Sequence, residues 1–131
     1  MNRVHIIVID DEEMILSLAT KVLQRAGIQV STAMSGSEGL ALVLSNPEAH
    51  AAIIDMTLPD IDGFELIRRI RQHRPAFPCI LSTGHALSPK DIPSDISGHM
   101  QLLLKPYRSQ ALVEVVSRAA SDSLATAGVN P

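Results

Sequence analysis

Tryptophan is absent from this chain of 131 residues, and aromatic residues make up only 2% of it. Its interior must therefore be filled by Leu, Ile, Val and Ala, which a hydrophobic content of 46% supplies in quantity. There is one cysteine, Cys79. A lone thiol excludes an internal disulfide, and its place in the apolar run Cys79-Ile80-Leu81 marks it as buried filler and not as a reactive group. No run of about 18 or more apolar residues occurs, and no basic segment precedes an apolar one, so the sequence offers neither a membrane span nor an export signal. The cytoplasm is the expected location. Internal repeats and low-complexity linkers are also missing, and the length is that of one domain.

The formal net charge of -3 hides an asymmetry. Residues 1 to 65 hold three Lys/Arg against ten Asp/Glu, net -7, whereas residues 66 to 131 hold eight against four, net +4. A local excess of carboxylate without a nucleic-acid motif points to a cation, not a phosphodiester backbone, as the first partner. The one basic cluster, Arg68, Arg69, Arg71 and Arg74, reads as the solvated face of a helix.

The order of elements follows from periodicity and punctuation. Val4 to Ile9 is β-branched and apolar, as in a central parallel strand, and ends in Asp10-Asp11-Glu12-Glu13. From Glu13 to Ala26 the positions Ile15, Leu18, Ala19, Val22, Leu23 and Ala26 recur at helical spacing, with Gly27 placed to cap the end. Ile28 to Ala33 is a second strand, and Ser35-Gly36-Ser37 opens a second helix through Leu44, stopped by Asn46-Pro47. Ala51 to Asp55 is strand three, Phe64 to His73 helix three, and Cys79 to Thr83 strand four. Between Ala86 and His99, Pro89, Pro93 and Gly98 leave room only for a short, broken helix, and Gly84 to Ser97 is expected to be weakly held. Gln101 to Leu104 is strand five and Arg108 to Ala120 a final helix, with a flexible tail over 122–131 after a domain of 1–121. Five strands alternating with five helices predict an α/β fold in which a doubly wound parallel sheet carries helices on both faces.

Parallel strands connected in this way deliver their carboxyl ends to one edge. Strand one brings Asp10 and Asp11 there, strand three Asp55, strand four Thr83 and strand five Lys105. Three carboxylates gathered together raise one another's pKa unless a cation neutralises them. Magnesium suits such a site, because it takes oxygen ligands, whereas zinc favours His or Cys, which these strand ends do not offer. A metal, an ammonium and a hydroxyl beside one carboxylate are the equipment for phosphoryl transfer to that carboxylate. Taken singly, the same residues have plainer readings: Asp10, Asp11 and Glu12 serve as well to cap the first helix, and Lys105 before Pro106 as a solvated strand end.

Together, Asp10-Asp11, Asp55, Pro59 with Asp62-Gly63, Thr83-Gly84 and Lys105-Pro106 resemble the receiver domain, the phosphoacceptor module of response regulators in two-component signalling. The resemblance runs from about Val4 to Ala120. It implies a flavodoxin-like sheet of order 2-1-3-4-5. It further implies that Asp55 accepts a phosphoryl group from a histidine of a kinase or histidine phosphotransfer protein in a phosphorelay. Asp11 would then bind Mg2+ directly, Asp10 mostly through water, and the main-chain carbonyl of Thr57 would add a ligand. Lys105 would hold the phosphoryl oxygens, Thr83 would report them, Gly84 would leave the group open to approach, and the Lys105-Pro106 bond would be cis. The same resemblance predicts a signalling domain that acts only on its own phosphorylation, with no nucleic-acid or membrane contact of its own and at most a weak homodimer. The residue pattern is also similar to receivers attached to hybrid histidine kinases.

Two departures from the family pattern bear on output. Leu102 stands where many relatives have Tyr or Phe, and the segment of the fourth helix is rich in proline. Two rival functions meet obstacles. A hydrolase of the haloacid dehalogenase type needs Asp-x-Asp after strand one, where this chain has Asp10-Asp11-Glu12-Glu13, and 131 residues leave no cap domain. A receiver-like scaffold that works without phosphorylation tends to lose a site residue, and none is lost. No DNA-binding or catalytic effector domain is read after Ala120, so the chain is a stand-alone regulator or a receiver cut from a larger protein, and the second is the expectation.

Overall fold

The β-branched run that leads into Asp10 forms an inner strand of the sheet. In the computed structural model of the protein, which describes residues 3–126, β1 (His5–Ile9) is buried along its whole length. It lies between β2 (Gln29–Ala33) and β3 (Ala51–Asp55), parallel to both. β4 (Cys79–Thr83) follows β3, and β5 (Met100–Leu104) follows β4, giving the order 2-1-3-4-5. This is the expected doubly wound sheet. The chain leaves β1 to one side for β2 and returns on the other for β3, so its direction reverses between β1 and β3, where open α/β sheets place their ligands.

Alternation along the strands sorts the core into two layers. Ile7, Ile9, Ile54 and Leu81 pack with Val43, Leu66, Ile67 and Ile70 of α2 (Gly36–Ser45) and α3 (Gly63–His73). Ile6, Val8, Ile53 and Ile80 pack with Leu16, Ala19 and Leu23 of α1 (Glu13–Arg25) and with Leu112, Val115 and Val116 of α4 (Ser109–Thr126). Most of these side chains are wholly excluded from water. At about 1.5–3 kcal/mol for each large aliphatic residue, their burial is the chief favourable term of the fold. The buried stripe of α1 runs through residues 16, 19 and 23, so Leu18, expected to point inward, is 41% exposed.

Two glycines let helices approach the strands that carry the acids. A Cβ on Gly39 would lie 2.5 Å from Ile9 Cδ1, which fixes α2 tightly against the residue preceding Asp10. A Cβ on Gly63 would lie 2.9 Å from the carbonyl oxygen of Asp55, so the start of α3 presses on the end of β3. Asp62 caps α3 by accepting the Glu65 N–H at 2.8 Å, and Ser35 caps α2 by accepting that of Glu38.

Three expectations are corrected. No α-helix forms between β4 and β5: Pro89–Asp91 and Ser94–Ile96 are single 3-10 turns, as the prolines dictate. The last helix, expected to end at Ala120, runs to Thr126, and the rest of the expected tail, 127–131, lies outside the described residues. Finally, Arg71 and Arg74 do not form a solvated face. Arg71 donates to the carbonyls of Phe77, Ile96 and His99. Arg74 lies over the Phe77 ring and reaches the carbonyls of Asn46, Pro47 and Ala49. With Arg68 paired to Asp95 at 2.8 Å and Ile96 only 2% exposed, the stretch from Ser94 to His99 is firmly held. Only the part before it is free of such ties among the described residues.

Candidate functional site

β1 and β3 end side by side, so the residues that follow their last apolar positions must meet. Oxygens of Asp10, Asp11 and Asp55 lie within 4.8 Å of one another. Asp10 is 1% and Asp55 6% exposed, while Asp11 faces solvent. From the end of β5, the Lys105 ammonium reaches between them, 2.8 Å from Asp10 and 3.2 Å from Asp55. The peptide bond from Lys105 to Pro106 is cis.

The charges explain the protonation of the site. Burial, and next the neighbouring Asp10, push the Asp55 carboxyl above its ordinary range, while Lys105 and the Thr57 N–H pull it back. Burial works against the Lys105 ammonium, yet its contacts with Asp10 and Asp55 hold its pKa well above the ordinary value. One fixed cation thus faces three carboxylates. The residual negative charge and an all-oxygen donor set suit a hard divalent cation.

Of the residues singled out in the sequence, Asp10, Asp11, Asp55 and Lys105 are brought together. Thr57 lies in the loop after β3, where its N–H favours the ionised form of the Asp55 carboxyl and its main chain bridges to Asp62. Thr83 ends β4, next to β3, but its hydroxyl is turned to its own loop, where it accepts the His85 N–H at 3.1 Å. Gly84 is exposed with open space around it.

Two residues of the site escaped the sequence reading. Glu12, read only as a helix cap, makes no side-chain cap; its N–H donates to Asp10 at 2.9 Å and its carboxylate lies 3.4 Å from Lys105. Tyr107 places its hydroxyl 2.5 Å from that of Ser82, the residue paired in register with Asp55. A signal for Tyr107 was available: Ser82 is the one hydroxyl that the apolar strand β4 carries ahead of Thr83, and a buried hydroxyl needs a partner.

A doubly wound sheet with three acids and a lysine converging at the switch point defines a CheY-like class of signalling domain. Residues 6–117 match the family described as the response regulator receiver domain, and the chain belongs to that family, the receiver domains of two-component response regulators. It is 31% identical over 119 residues to the transcriptional regulatory protein GlrR of Escherichia coli K12, covering 91% of this chain and 27% of GlrR. Against hybrid signal transduction histidine kinase L of Dictyostelium discoideum the identity is 26%, over 86% of this chain and 7% of the kinase. A receiver domain structure from Clostridium thermocellum superposes with a TM-score of 0.84 at 31% identity, covering 94% of this chain and 98% of that one. The chain spans about a quarter of the length of the curated regulators it matches first.

Proposed function

We propose that Asp55 is the phosphoacceptor of this receiver. One of its carboxylate oxygens attacks the phosphorus of a phosphohistidine on a histidine kinase or histidine phosphotransfer protein. The O–P bond forms as the P–N bond breaks, and the imidazole leaves with the bonding pair and takes up a proton from water. The product is an acyl phosphate on Asp55. The observation that carries this reading is the Lys105 ammonium, held at 3.2 Å from Asp55 and 2.8 Å from Asp10. It favours the ionised carboxylate that must attack, and it lies where charge develops on the phosphoryl oxygens.

Asp10, Asp11 and Asp55, with the main-chain carbonyl of Thr57, are the groups we assign to Mg2+. The bound ion would neutralise charge on the transferring phosphoryl group. Thr83 uses its hydroxyl oxygen to accept from His85, which leaves its single proton to donate to a phosphoryl oxygen. Gly84 leaves that approach open. In this reading the domain works in the cytoplasm and catalyses only its own phosphorylation and dephosphorylation. Among the described residues no helix is long and apolar enough to cross a membrane.

Incubation with acetyl phosphate and Mg2+, followed by mass spectrometry, tests the assignment. The parent gains one phosphoryl group and Asp55→Asn gains none. Labelling of Asp55→Asn at the parental rate, or labelling that survives removal of the metal, overturns it.

A further inference from the structure

Asp60 sits in the loop between β3 and α3 and belongs to no part of the site described above. Its two carboxylate oxygens each accept one peptide N–H from the start of α2, that of Gly36 at 2.8 Å and that of Ser37 at 2.9 Å. Those donors lie 24 and 23 residues away in sequence. Helix N-termini leave such N–H groups without intrahelical partners. Here they are satisfied by a carboxylate that arrives from another loop, in addition to the local cap from Ser35.

The contact closes a ring. α2 is seated against β1 through Gly39 and Ile9, and Asp10 follows Ile9 directly. From Asp60 the chain runs back three residues to Thr57, whose N–H is close enough to the Asp55 carboxyl to favour its ionised form. The far side of the same loop is fixed by the bridge from Thr57 to Asp62 and by the Gly63 N–H on the Met56 carbonyl at 2.7 Å. β1, α2 and the loop after β3 are thereby joined into one frame around the carboxylates of Asp10 and Asp55.

We infer that Asp60 is a positioning residue for the divalent cation. By tying the Thr57 loop to the helix that rests on β1, it sets the spacing between the Thr57 main chain and the aspartates. This rests on the assignment of those groups to Mg2+. Without the tie, Thr57 remains bonded to Asp62, but the loop as a whole is free to shift against β1, so the ligand set is no longer preorganised.

The test is Mg2+ binding, followed by amide chemical shifts in the absence of any phosphodonor, on the parent, Asp60→Ala, Asp60→Asn and Asp62→Asn. Asp60→Ala is expected to weaken Mg2+ about tenfold, the low end of what partners behind metal ligands contribute. Asp60→Asn keeps the shape but can accept only one of the two N–H groups, and it serves if the alanine variant does not fold. Asp62→Asn removes the same charge from the same loop while leaving intact the tie to α2 and the bridge to Thr57, which is a main-chain contact, and it should bind within about twofold of the parent. Equal Mg2+ affinity in the parent and both Asp60 variants overturns the inference alone. An equal loss in Asp60→Asn and Asp62→Asn also overturns it, because the loop charge and not the tether would then be responsible. A parent that binds no Mg2+ removes the assignment on which the inference stands.

Discussion

The phenol of Tyr107 and the hydroxyl of Ser82 are hydrogen-bonded at 2.5 Å, and Ser82 is the residue of β4 paired in register with Asp55. The contact joins the end of β4 to the turn after Lys105. Leu102 leaves the chain without the aromatic residue that receivers often carry in β5, so the only tyrosine of the chain lies on the other side of the site.

Burial of this phenol predicts a distinctive titration. Burial is the largest influence and raises the Tyr107 pKa to about 12, with the Ser82 hydrogen bond and Lys105 opposing it. An unfolded tyrosine titrates near 10. Between those values the unfolded chain has released its proton and the folded one has not, so unfolding becomes steadily easier as pH rises from about 10 to 12. Below about 10 this group has no effect on stability. Cys79, fully buried and raised to about 11, acts in the same direction from about pH 9. Tyrosinate absorbance should therefore rise with a midpoint near 12 in the native protein and near 10 in urea. A native midpoint near 10 would show that the phenol is not buried.

The acids and the lysine of the site were legible in the sequence, and the reason is topological. Parallel strands put their last residues at one edge, so Asp10, Asp55 and Lys105 needed only correct strand ends to be placed together. Glu12 and Arg71 were not legible, because their roles depend on partners 93 and 28 residues away that helical periodicity does not reveal. A row of arginines on one helix looks like a solvated face from sequence alone. It takes the irregular path of residues 94–99, which the prolines impose, to present bare carbonyls that only a long cationic side chain can reach. The same prolines do break the helix, but a broken helix is not thereby a loose one.

That distinction limits how the domain can respond to phosphorylation. Arg71 and Arg68 hold Ser94 to His99 on α3, so a pull on Thr83 from a phosphoryl oxygen should move only Gly84 to Ile92. With beryllofluoride and Mg2+ as a phosphoryl mimic, amide shifts in the parent should change in the Asp55 pocket and over Gly84 to Ile92, and change little over Ser94 to His99. Arg71→Lys cannot span three carbonyls. It should lose about 1 kcal/mol of stability, the net worth of hydrogen bonds to partly buried carbonyls, and it should let the response spread to His99. Thr83→Ala should abolish the response beyond the pocket. Equal changes on both sides of Pro93 in the parent, or a response unaltered by Thr83→Ala, would rule out this division.

Lys105 makes the sharpest prediction, because its two roles have opposite signs. Its ammonium occupies oxygens of Asp10 and Asp55 that a divalent cation would also use. A neighbouring cation ordinarily stabilises a carboxylate by about one to three pKa units. Removing this one leaves two largely buried carboxylates uncompensated, and they should then hold Mg2+ more tightly, by roughly tenfold. Phosphorylation should move the other way. In the proposed reaction the ammonium is also the fixed positive group beside the developing phosphoryl charge, and loss of such a group typically costs about 10²–10³ in rate. Lys105→Ala should therefore bind Mg2+ better than the parent while accepting phosphate from acetyl phosphate far more slowly, even at saturating metal. Glu12→Gln, which removes only the weak contact at 3.4 Å, should change the phosphorylation rate much less than Lys105→Ala does. If Lys105→Ala instead loses Mg2+ affinity and activity together, the lysine organises the aspartates and does not compete for them, and its place in the site must be reassigned.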